Sequence, residues 1–163
     1  MTAHAGEEGP SDYIVEALDI LHCERIDHGA RCLEDQNLTK RICKEQIPLT
    51  LCPCSMYRLK ISERFFAGEG IISQFLERGA NASIHSDDPA YFMVKDGDDS
   101  FFPGRKGGYD GYLASNYLFC ADGCGASPDD MVILARNSIR SCWATDEEKK
   151  KLIQELESYC KSY

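Results

Sequence analysis

Residues 1–92 alternate between two hydrophobic rhythms. Short runs of strand character at Thr2–His4, Glu24–Asp27, Pro48–Cys52 and Ala80–Ser86 predict four strands. Between them the apolar positions take helical spacing. Pro10 and Ser11 open a first helix whose apolar face carries Ile14, Ala17, Leu18 and Leu21. Asp35 can cap a second helix bearing Leu38 and Ile42. Ile71, Ile72, Phe75 and Leu76 mark a third, and Gly79 fits its C-terminal stop. Strand and helix alternating at this pitch predict consecutive right-handed βα units and a parallel sheet.

Beyond Pro89 the rhythm changes. Residues 95–111 are rich in Gly and Asp and predict a surface loop. Tyr112 to Ala121 reads as a helix. Ser127 with Asp130 opens another, running to about Ser141, with Met131, Leu134, Ala135 and Ser138 on one side. Thr145 with Glu148 forms a capping box for a last helix bearing Leu152, Ile153, Leu156 and Tyr159. The tail is therefore expected to be helical.

The 163 residues suffice for one domain with a core. They are too few for a complete eight-stranded α/β barrel, which needs roughly 250. Eighteen basic against 27 acidic residues give a net charge of -9, a poor match for nucleic acid phosphates. No segment approaches the ~20 apolar residues that span a bilayer, and no signal peptide is visible. The expected compartment is therefore the cytoplasm, or the nucleus as well, with reduced thiols. The nine cysteines are an odd count, which rules out complete internal pairing. Cys52 with Cys54, and Cys120 with Cys124, are candidate metal pairs. Neither has a second half at zinc-ribbon spacing, so buried thiols are the expectation.

Three phrases concentrate chemistry where predicted strands end. Thr2-Ala3-His4-Ala5-Gly6-Glu7 offers an imidazole and a carboxylate around small residues that allow a sharp turn. Taken singly it also reads as a surface turn opening a helix with an acidic pair. Arg25-Ile26-Asp27-His28-Gly29 places a histidine, suited to proton transfer near neutral pH, after an aspartate that is either its orienting partner or a strand-end charge. Ser86-Asp87-Asp88-Pro89 sets two carboxylates side by side, costly unless a cation or donors compensate, or else a solvated acidic turn. Together they supply most of what a hydrolytic metal site at the end of a barrel requires.

In that order the phrases Thr2–Pro10, Arg25–Gly29, Ile47–Pro53 and Ser86–Phe92 resemble the adenosine/adenine deaminase family, most closely the fungal-type adenine deaminases within it. The resemblance covers residue 2 to about residue 155. It implies the C-terminal half of a (β/α)8 TIM barrel, strands five to eight, with a helical C-terminal tail, and a partial deaminase domain over residues 1–163. It implies one catalytic zinc, with His4 and Asp87 resembling ligands. Glu7 resembles the acid that protonates the purine N1, His28 the group that orients and deprotonates the attacking water, and Asp88 the partner of the N7 edge. The implied reaction converts adenine and water to hypoxanthine and ammonia, in purine salvage. Asp27, where adenosine-acting relatives carry Gly, favours adenine over adenosine.

Three features depart from the family pattern. No His-X-His pair is present to supply further zinc ligands, His22 and His85 being the other histidines. Pro53-Cys54-Ser55-Met56 replaces the usual Pro-Leu-Ser-Asn, and Gly104–Gly111 is irregular. The expectation is a fragment whose Met1 falls inside the family's full length. Its four strands would leave open edges and an exposed inner face, favouring self-association. It would be inactive alone, either awaiting the other half or persisting as a non-catalytic remnant.

Overall fold

The computed structural model describes residues 1–61, 70–92 and 112–162. The predicted loop at 95–111 and the stretch Gly104–Gly111 lie outside them. Four strands form one parallel sheet in chain order: β1 (Thr2–Ala5), β2 (Arg25–His28), β3 (Leu49–Leu51) and β4 (Ala82–Ile84). The register pairs Thr2 with Arg25, Ala5 with His28, Leu49 with both Ile26 and Ala82, and Leu51 with Ile84. The predicted alternation of strand and helix and the parallel sheet are both present.

Helices α1 (Asp12–Asp19), α2 (Gln36–Glu45), α3 (Pro53–Arg58) and α4 (Ile71–Glu77) lie between the strands. A short 3-10 turn, Ala30–Glu34, follows β2. The helices α5 (Pro89–Phe92), α6 (Tyr112–Gly123), α7 (Pro128–Ser141) and α8 (Asp146–Cys160) follow β4. The expected caps form. The Asp35 carboxylate accepts from the amides of Asn37 and Leu38. Ser127 with Asp130, and Thr145 with Glu148, make reciprocal capping boxes. Gly79 stops α4 at φ 68°. The short helix α3 is opened by Pro53 directly after β3.

The core explains the strand composition. Ile26, Leu49, Leu51, Ala82 and Ile84 are buried with Ile14 and Leu18 of α1, Leu38 and Ile42 of α2, Phe75 of α4 and Leu134 of α7. Because side chains alternate along a strand, the other set falls on the opposite face: Thr2 and His4, Arg25 and Asp27, Thr50 and Cys52, Ser83 and His85. One face is thus apolar and covered by helices, and the other is polar.

Two helix faces differ from expectation. Leu21 is exposed, because α1 ends at Asp19 and the chain turns through His22 at φ 53° on its way to β2. The last helix, α8, buries none of its residues. It packs on α7, and Ile153 and Leu156 are half-covered while Leu152 and Tyr159 stay exposed.

Gly6 and Gly29 end β1 and β2 in the left-handed region, at φ 70° and 69°. The Arg31 amide donates to the Gly6 carbonyl at 2.8 Å, which ties the two turns together. A Cβ on Gly6 would lie 2.3 Å from Ile14 Cδ1. Gly6→Ala is therefore expected to destabilise the fold by about 2–3 kcal/mol, combining backbone strain with a core clash. Gly79 is equally left-handed but has open space around it, so Gly79→Ala should cost only about 1 kcal/mol. Urea midpoints measure both, and equal shifts would refute the clash with Ile14.

Candidate active site

The polar face of the sheet opens at the C-terminal ends of the strands into a cleft of about 380 Å³. His4, Arg25, Asp27, His28, Thr50, Cys52, His85, Ser86 and Asp87 line it. A cleft of about 450 Å³ beside α2 is larger but is lined by Leu33, Gln36, Thr39, Lys40, Cys43 and Arg78. That set contains no acid or imidazole for hydrolytic chemistry.

Glu7 sits at the back of the site, only 3% exposed. Its Oε1 lies 3.3 Å from His28 Nδ1 and its Oε2 lies 3.6 Å from His4 Nε2. The two imidazoles meet edge to face, with centroids 4.5 Å apart. Glu7 Oε1 and His28 Nδ1 are both buried, and neither has an aligned hydrogen-bond partner among the described residues. The Ser55 hydroxyl is near enough to Glu7 to favour its ionised form, yet it too lacks an aligned partner among those residues.

Position controls the protonation states. Burial, then repulsion from Asp87 and Glu8, raises the Glu7 pKa from 4.5 to about 7. Burial, then His4, lowers that of His28, against the pull of Asp87, Asp27 and Asp88. At neutral pH the site thus holds a carboxyl group that retains much of its proton beside an imidazole that is largely neutral. That pairing suits general acid and base chemistry.

The turns place these groups by unusual backbone geometry. His28 and Asp87 adopt φ 71° and 54°, in the left-handed region that non-glycine residues seldom occupy. Such strain is a recurring mark of functional positions. One oxygen of Asp87, Cys52 Sγ and one nitrogen of His28 lie within 4.8 Å of one another, as do donor atoms of His4, Glu7 and His28. Asp88 is exposed and does not line the cleft formed by the described residues, although its charge reaches His28. Of the five predicted site residues, the structure thus gathers His4, Glu7, His28 and Asp87, and leaves Asp88 at the rim.

Several contacts were hidden from the sequence. The carboxylate nearest His28 comes from Glu7. Asp27 instead accepts from the hydroxyls of Thr2, at 2.7 Å, and Thr50, at 2.8 Å, and pairs with Arg25 at 3.5 Å. The Arg25 guanidinium stacks 3.9 Å over Trp143. His85 shares a 2.8 Å hydrogen bond with Ser83. The supposed Cys52–Cys54 pair is split. Cys52 faces the cleft, whereas the buried Cys54 thiol lies near Cys120 and Cys124. Cys120 and Cys124 are buried thiols of the same helix region. The available signal was the i, i+2 repetition of polar residues in each strand.

Burying Glu7 has a stability consequence of definite sign. Between pH 4.5 and about 7 the unfolded chain has lost the Glu7 proton while the folded chain keeps it. Stability should therefore fall as pH rises through that window, by about 3 kcal/mol in all. Glu7→Gln should remove this component in the metal-free chain, so the variant gains on the wild type as pH rises. Urea midpoints at about pH 5 and about pH 8 test this, and parallel shifts in the two proteins would refute it.

The chain is similar to known proteins over nearly its whole length. Residues 1–100 match the adenosine deaminase family. The chain is 39% identical to an adenine deaminase of Hahella chejuensis over 161 residues, covering 99% of this chain and 42% of that protein. The crystal structure of an adenine deaminase from Arthrobacter aurescens superposes with a TM-score of 0.78 at 40% identity, covering 98% of this chain and 43% of that one. A Burkholderia ambifaria amidohydrolase with bound Zn shares the fold, with a TM-score of 0.74 at 22% identity, over 99% of this chain and 41% of that one. The chain thus spans about two fifths of the length of these relatives, and it belongs to the adenosine deaminase family.

Proposed function

We propose that the chain carries the acid–base half of a zinc-dependent adenine aminohydrolase site, in which adenine and water give hypoxanthine and ammonia. The observation that carries this reading is the buried Glu7 carboxyl, with a pKa near 7, set against His28 and His4, which line the cleft together with Asp87. The 39–40% identity to adenine deaminases supports the same chemistry.

The residues present fit a divalent cation. The cleft offers imidazole and carboxylate donors of the kind zinc prefers, His4 and Asp87 among them. His4 and Asp87 would hold the ion. When bound, zinc supplies a Lewis acid that makes water nucleophilic near neutral pH. The chain's own groups do the proton work. Glu7, still partly protonated near pH 7, donates to the purine N1 and stabilises the ring as C6 loses aromaticity. Neutral His28 takes a proton from the attacking water and can return one to the departing amine. Asp88 meets the N7 edge from the rim.

Two donors make an incomplete zinc site, since catalytic sites use three or more. Neither β1 nor β4 has a second strand neighbour in the described sheet, which supports completion by further strands. The test pairs the chain with the segment of the Hahella chejuensis adenine deaminase that precedes the matched region. With zinc, the pair should form hypoxanthine and ammonia from adenine in preference to adenosine, and the 163-residue chain alone should not. Glu7→Gln should lower the rate by about 10²–10⁴-fold. Full activity in the Glu7→Gln pair, or none in the wild-type pair, would sink the assignment.

A further inference from the structure

The cleft contains a donor that the proposed deaminase site does not use. We propose that Cys52, with His28 and Asp87, forms a sulfur-containing site for a soft divalent cation such as zinc or cadmium. It shares Asp87 with the His4–Asp87 pair and takes Cys52 and His28 in place of His4.

Three observations place the ligands. One donor atom from each residue lies within 4.8 Å of the other two. A tetrahedral ion with bonds of about 2.0–2.3 Å separates its donors by ~3.5 Å, so rotations of about 1 Å at the side-chain tips close the set. Cys52 Sγ is buried, and its hydrogen bond to the Thr50 carbonyl is long, at 3.7 Å. The Asp87 backbone also hydrogen-bonds the sulfur, which holds Cys52 beside Asp87. Glu7 Oε1 approaches His28 from the Nδ1 side at 3.3 Å, which leaves Nε2 to bind. A carboxylate behind a ligating imidazole is the usual means of fixing its orientation and raising its basicity.

The chemistry balances without a redox step. The cation displaces the thiol proton of Cys52 to solvent, and one S–metal bond replaces one S–H bond. The mixed set of sulfur, nitrogen and oxygen favours zinc-like ions over magnesium or calcium, which take oxygen donors. A cation seated here would withdraw His28 from proton transfer. The inference concerns the same cleft as the deaminase reading but does not depend on catalysis.

Cobalt(II) is the probe, because thiolate ligation adds a near-ultraviolet sulfur-to-cobalt charge-transfer band to the visible bands of a tetrahedral ion. Titrating the full 163-residue chain under reducing conditions should give that band at one cobalt per chain. Cys52→Ser should lose the band while keeping its circular dichroism, and Cys54→Ser should retain it. Asp87→Asn should bind cobalt roughly tenfold more weakly or worse. If Cys52→Ser does not fold, Cys52→Ala provides the same reading. Visible bands without the charge-transfer band would overturn the Cys52 site and leave the His4–Asp87 assignment standing. A band that survives Cys52→Ser, or no cobalt binding at all, would also overturn it.

Discussion

The contact between the Glu7 carboxyl and the His28 imidazole is the constraint around which the candidate site is arranged. Both groups are buried and come from turns that end neighbouring strands. An ionised carboxylate at such a place would be costly, and the structure answers by raising the Glu7 pKa toward neutrality. The same burial keeps His28 from carrying charge. The site therefore keeps a proton on the acid, unlike a free carboxyl in neutral water, and leaves a lone pair on the base.

That pairing depends on two glycines. Gly6 and Gly29 both take the left-handed conformation, and their turns are joined by the Arg31 amide on the Gly6 carbonyl. Ile14 from α1 packs where a Gly6 Cβ would stand. The core and the site are thus coupled. The helix that covers the apolar face of the sheet also fixes the turn that delivers Glu7 to the other end of the strand.

The polar face carries a second layer of order. Asp27 draws a hydroxyl from β1 and another from β3, so a single carboxylate ties three strands together. Arg25 and Trp143 extend this network to the loop between α7 and α8. A sheet with one face this polar differs from the usual parallel sheet, whose two faces are both apolar. Here the polar residues line the cleft at the C-terminal ends of the strands.

Local chemistry made much of this visible in the sequence. Strand and helix rhythms, the caps at Asp35, Ser127 and Thr145, and the stop at Gly79 depend on residues within a few positions of one another, and all four are present. The ordered phrases around His4, Asp27-His28 and Asp87-Asp88 also named the residues that meet in the cleft. Partners across strands were not legible. Asp27 is two residues from Arg25 in sequence, but Thr2 and Thr50 reach it only through the register of three strands. The adjacent acids Asp87 and Asp88 diverge, one into the cleft and one to the rim, because φ at Asp87 is positive. Sequence determined which groups were available and where each strand ended. Only the tertiary structure decided which groups are desolvated together, because burial and cross-strand distance are properties of the packed sheet.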